Sequence, residues 1–155
     1  YSARIWSLYN PTTGSAKTMT ISGTGSGRCA AISFSGCDVT SADAHVDATA
    51  SSNATSNAIS TNITTVNANA MIVAVGMWRD GTNVPSATGT NQTRRWGVNP
   101  YGFGSITPAT GTGAYTCSWS NDANNRVAQV LMSIKPGSSA PPAATRKVIG
   151  QGITR

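Results

Sequence analysis

A chain of 155 residues suits one domain, able to bury roughly two-thirds of its unfolded surface in a single core. Charged residues make up only 10% of it, yet the net charge is +6 and Glu is absent. Such a body is a weak electrostatic magnet, which argues against nucleic acid as a partner, and it offers few groups for acid–base chemistry.

Helices are not expected. The chain has two leucines (Leu8 and Leu131) and three lysines, and Thr, Ser, Asn and Gly take the place of the missing helix formers. Strand signals recur instead, separated by turn residues. Residues 4–9 alternate and end at Asn10-Pro11. Residues 17–21 alternate and run into Gly23, Gly25 and Gly27. Residues 29–34 form a mostly apolar strand stopped by Ser35-Gly36.

Residues 45–50 and 58–65 read as weaker, half-solvated strands joined by a polar connector, 51–57. Residues 70–78 are the strongest core strand, apolar on both faces, so each face should be covered. Residues 90–96 and 102–107 are moderate strands. Residues 114–119 alternate, Asn121-Asp122 turns the chain, and 127–134 closes the domain. About ten strands without a βαβ rhythm predict an all-β fold, a two-sheet antiparallel β-sandwich over residues 1–136.

After Pro136 the composition changes. Residues 137–142 are linker-like, and the segment to Arg155 sets Val148, Ile149 and Ile153 among Arg146, Lys147 and Arg155. Residues 137–155 are therefore expected to be an extended basic arm clasped by a neighbouring subunit, its apolar residues as anchors and its cations meeting acidic surface. No apolar run approaches the roughly 20 residues of a membrane helix, so no membrane partner is expected. The three cysteines, Cys29, Cys37 and Cys117, are an odd number. Cys29 and Cys37 could bridge only if the chain turned back to bring their Cα atoms within about 7 Å. Small buried thiols are the plainer reading.

Several pieces, read in order, resemble a family of β-sandwich domains found in tailed-phage virion proteins and bacterial surface proteins. They are Leu8-Tyr9-Asn10-Pro11, Thr18-Met19-Thr20, Ile32-Ser33-Phe34-Ser35-Gly36-Cys37-Asp38, Met71-Ile72-Val73-Ala74-Val75, Gln92-Thr93-Arg94-Arg95-Trp96, Ser118-Trp119-Ser120 and the closing residues 130–136. Cys37 departs from the family, which usually has an aliphatic residue there, and so does the basic arm. The resemblance implies a jelly-roll-like sandwich in a structural or adhesive role on a virion or extracellular surface. It supplies no catalytic residues.

The residues themselves favour no enzyme. There is one His, and five Asp are scattered, so a Ser/His/Asp site would have to use His45, with no nucleophile-elbow sequence around any Ser. Asp43, His45 and Asp47 would share one face of a strand, with Asp38 as a fourth metal ligand; a solvated strand face is the better reading. No cofactor is implied. The spaced glycines 23, 25 and 27 lack the strand-to-helix context of a nucleotide loop and read as a hairpin turn. Glycosylation triplets begin at Asn53, Asn62 and Asn91, as often as chance provides in so Ser/Thr-rich a chain. Trp6, Trp78 and Trp119 are expected in the core, whereas Trp96, with Arg94 and Tyr101, is the candidate ligand surface. The expected function is a non-enzymatic structural module (capsid decoration, head fibre or tail) contacting copies of itself and other surface proteins. A carbohydrate-binding adhesion module with glycan partners is the alternative.

Overall fold

The computed structural model describes residues 2–8, 20, 28–98 and 101–137. Within them the chain is all-β, with six strands and no helix. They are β1 (Val46–Thr65), β2 (Ala70–Trp78), β3 (Ser86–Ala87), β4 (Thr93–Val98), β5 (Gly102–Ala109) and β6 (Gly113–Ile134). All pairings are antiparallel, in one sheet ordered β1-β6-β2-β5-β4, with β3 added to β6.

The long strands correct two expectations. Of residues 45–50 all but His45, the connector 51–57 and 58–65 merge into the 20 residues of β1, and 114–119 merges with 127–134, through the expected turn at Asn121-Asp122, into the 22 residues of β6. The polar connector is a strand because it lies against β6, whose backbone supplies the pairing that its own composition does not advertise. The strands expected at 4–9 and 29–34 are not seen in residues 4–8 and 29–34, and Tyr9 lies outside the described residues. Thr20 is also non-strand, and the remainder of 17–21 lies outside the described residues.

One sheet is found among the described residues where two were expected, and it folds into two layers because the β1–β6 ribbon doubles over. The hydroxyls of Ser52 and Thr61, nine residues apart on the same strand, are hydrogen-bonded to each other. A straight strand would hold them roughly 30 Å apart at about 3.3 Å per residue. The crease lies where the register jumps: Ser56 pairs with Asn125 and Ala58 with Ser120, so β6 spends five residues while β1 spends two. The outer strand of a bend needs the longer path, and a bulge provides it. Short polar side chains replace the ladder bonds lost there. Ser56 Oγ accepts from Ala58 N at 3.1 Å, Asn121 Oδ1 from Asp122 N at 2.8 Å and Asn125 Oδ1 from Arg126 N at 2.8 Å.

The core lies between the layers. In one cluster Ile63 and Cys117, from beyond the crease, pack with Ile72, Ala74, Ala109 and Leu131. In the other Ile59 and Trp119 meet Trp78, Phe103 and Val127. The Phe103 ring lies between two indoles, 5.1 Å from Trp78 and 4.4 Å from Trp119. Trp78 and Trp119 are thus fully buried, as expected, whereas Trp6, also expected in the core, is 69% exposed and does not join it. Trp78 Nε1 also donates to Ser56 O at 2.9 Å, which satisfies a carbonyl at the crease. The interior is unusually polar. Gln129 is 1% exposed; its Oε1 accepts from Thr61 Oγ1 at 3.1 Å, and its Nε2 donates to Cys117 O at 3.4 Å. This amide bridges the two arms of the ribbon from inside.

The far layer is completed by side chains as much as by strands. Ser86–Ala87 pairs with β6, and Thr88 N continues the line to Ser118 O at 2.9 Å. Gln92 then acts as a surrogate strand: its Oε1 accepts from Ser118 N (2.8 Å) and Gly89 N (3.2 Å), and its Nε2 donates to Ser105 Oγ in the other layer (2.9 Å).

Candidate interaction surfaces

The root of the C-terminal segment is strapped down. Cys37 forms a bridge with Pro136, Gly137 N donates to Gly36 O at 2.7 Å and Asp38 N to Lys135 O at 3.0 Å. Lys135 N in turn donates to His45 O at 2.8 Å. Lys135 Nζ lies 2.9 Å from Asp38 Oδ2. That ammonium, with the amide and hydroxyl of Thr40, holds the Asp38 carboxyl down to about 2. Burial pushes the adjacent Cys37 thiol up. The strap joins residues about a hundred positions apart, so no local sequence signal marks it. The arm residues themselves, Arg146, Lys147, Val148, Ile149, Ile153 and Arg155, lie outside the described residues.

Asp43, His45 and Asp47 do not share a strand face. The chain turns over residues 42–45, and β1 begins only at Val46. His45 is buried, its Nε2 2.8 Å from Ser7 Oγ. Asp47 points to the β1–β2 turn, accepting from Val66 N at 3.1 Å, from Asn67 Nδ2, and from Ser133 Oγ at 3.2 Å. Among the described residues no group of three His, Cys or Asp side chains is placed to hold a metal ion. The Ser7–His45 contact brings a hydroxyl onto an imidazole, yet Asp38 and Asp47 are committed to other partners. Asp122 is likewise engaged, at the crease. It accepts from Thr82 Oγ1, from Thr82 N at 3.1 Å and from Asn83 Nδ2 at 3.0 Å, and the Thr82 hydroxyl bond leads in holding its carboxyl below the ordinary range.

Arg94, Trp96 and Tyr101 are neighbours but not one platform. A bulge at Arg95 shifts the β4–β5 register between Arg94 and Trp96. Arg94 pairs with Ser105, on the core side of β5, and its Nη1 donates to Pro85 O at 3.0 Å. Trp96 pairs with Gly104 and lays its indole on the opposite face, over Gly102 and Gly104. Paired residues project to the same side of a sheet, so Arg94 and Trp96 face opposite ways. Tyr101 is 38% exposed, and its carbonyl accepts from Trp78 N at 3.0 Å. The half-buried Trp96 is the one aromatic of the three seated on the outer face of β5.

The two edges of the sheet differ in chemistry. β4 carries Arg94, Arg95 and the bulge, all of which discourage pairing with another strand. β1 has no charged residue from Ala48 to Thr65 and no proline. Its outward side chains beyond the crease form a polar ladder with β6: Ser60 Oγ lies 2.8 Å from Ser118 Oγ, and Asn62 Oδ1 accepts from Thr116 Oγ1 at 2.7 Å. Among the described residues no helix is long and apolar enough to cross a membrane.

All three cysteines stand as free thiols, Cys29 exposed and Cys117 fully buried. Comparison with protein-family models, with curated proteins and with solved structures finds no match, so the likeness to phage and bacterial surface domains rests on its sequence pieces alone.

Proposed function

We propose that this chain is a non-enzymatic structural module of a virion or extracellular surface, as a capsid-decoration, head-fibre or tail-associated domain. Its partners would be copies of itself and other structural proteins of the same particle. The supporting observation is the strap between residues 36–38 and 135–137, which gives the C-terminal segment a fixed point of departure from the domain. From a fixed exit, a basic segment with Val148, Ile149 and Ile153 reaches a neighbour with less orientational entropy to lose. A jelly-roll-like sandwich is the architecture proposed for the whole, with the doubled ribbon as its centre. The test is deletion of residues 137–155. Loss of binding to the native assembly supports the arm as a clasp; unchanged binding and particle size eliminate it.

A second reading, a carbohydrate-binding adhesion module, is favoured by Trp96 alone, whose half-buried indole lies over two glycines on the outer face of β5. Flat aromatic surfaces take up the apolar faces of sugars. A glycan array probed with the native chain and with Trp96→Ala distinguishes the readings. Binding that disappears with the indole supports adhesion, and a blank array removes it.

A further inference from the structure

We infer that residues 58–65 of β1 form a homotypic docking edge, pairing antiparallel with the same segment of a second copy about a two-fold axis at Thr61. The inference rests on the proposed assembling role and names one of its contacts.

An edge strand presents a row of backbone donors and acceptors, and proteins that remain apart protect such rows with charge, proline or bulges. Here β4 is protected by Arg94, Arg95 and the register shift between Arg94 and Trp96. β1 is not protected: among the described residues its only strand partner is β6, and past Asp47 it is uncharged. The leading half of β1 has company from residues 2–7. Ser7 reaches His45, and Ser2 and Ala3 line a cleft with Ser52 and Ala54. The half beyond the crease has no such neighbour among the described residues.

That half is also self-complementary. Ile59, Thr61 and Ile63 face the core, while Ser60, Asn62 and Thr64 face out. With the axis at Thr61, Ile59 stands opposite Ile63 of the second copy and Ser60 opposite its Asn62. Thr61 meets its own copy and the small Ala58 stands opposite Thr64, so no charge or bulky mismatch arises, and the contact has the two-fold reciprocity of an isologous pair. The result is a continuous run β6-β1-β1-β6 across two molecules. One short strand pair is a weak contact by itself, and a repeated assembly multiplies it through effective concentration.

Sedimentation equilibrium of the full chain is expected to show a concentration-dependent dimer. Ser60→Lys with Asn62→Lys sets like charges face to face twice across the axis and raises the dimer dissociation constant roughly tenfold. Ser60→Lys with Asn62→Asp makes the facing charges opposite and returns it toward the native value. A chain that stays monomeric at near-millimolar concentration, or a dimer indifferent to both pairs, overturns the inference. Hydrogen exchange of the native chain gives a check independent of any variant. Amides in 58–65 gain protection as concentration rises if the edge pairs, and unchanged exchange refutes it. Loss of this edge with retention of assembly through residues 137–155 would sink the docking edge and leave the assembling role intact.

Discussion

Gly104 lies directly beneath the Trp96 indole, so close that a Cβ on Gly104 would stand 2.0 Å from Trp96 Nε1. The ring takes the space that a side chain would fill, and the glycine exists for the ring. Gly104→Ala is expected to displace the indole and destabilise the domain by about 1–3 kcal/mol, the usual cost of overpacking. Gly111→Ala, whose nearest neighbour is the Tyr115 hydroxyl at 4.0 Å, should stay within about 0.5 kcal/mol of the native value. Denaturant midpoints with intrinsic fluorescence measure both. Equal losses at the two positions would contradict the packing described for Trp96.

The amide of Gln129 is a second point of strain if disturbed. Gln129→Leu takes from the Thr61 hydroxyl one of its two partners, leaving Ser52, and from the Cys117 carbonyl its amide donor, and should cost about 1–3 kcal/mol. Adding Thr61→Val removes the hydroxyl that lost this partner, so the double variant should lose less than the two singles summed. Additive losses in urea titrations would show that the two side chains are not coupled.

Phe103→Ala removes the ring held between Trp78 and Trp119 and should cost about 3–5 kcal/mol. Near-ultraviolet circular dichroism should lose its indole bands in parallel. A near-native melting curve would mean that the two layers do not meet there.

Acid should loosen the strap at the root of the C-terminal segment. Asp38 is held down to about 2 from an ordinary 3.8 by Lys135 and Thr40. A carboxyl lowered in the folded state binds fewer protons there than when unfolded, so its contribution is complete above about pH 4 and fades as pH falls toward 2. Asp38→Asn should flatten that part of the stability–pH curve, and Lys135→Met should raise the Asp38 titration midpoint in carboxyl NMR. An Asp38 that titrates at its ordinary value in the native chain would refute the ion pair.

Thiol chemistry should sort the three cysteines by burial. Cys29 is exposed and should react with an aromatic disulfide reagent first, and Cys37, half-buried with its thiol pushed up, more slowly. Cys117, fully buried and also pushed up by burial, should react only on unfolding. Rapid titration of all three in native buffer would contradict the placement of Cys117 in the core, with its Sγ 3.6 Å from Thr107 Oγ1.

The sequence by itself determined the class of structure and its centre. The scarcity of Leu, Lys and Glu leaves extended chain as the favoured conformation, and the run from Ala70 to Trp78 can be stable only with both faces covered. The alternation over residues 114–119 sets Cys117 and Trp119 on one face, and both are buried. Tertiary structure decided the rest. Residues 51–57 look like a connector until the backbone of β6 lies beside them. Asp43, His45 and Asp47 look aligned until the turn before β1 separates them, and Arg94 and Trp96 look adjacent until a bulge sends them to opposite faces. Pairing partners, creases and bulges come from residues far apart in the chain, and periodicity within a short window carries no information about them.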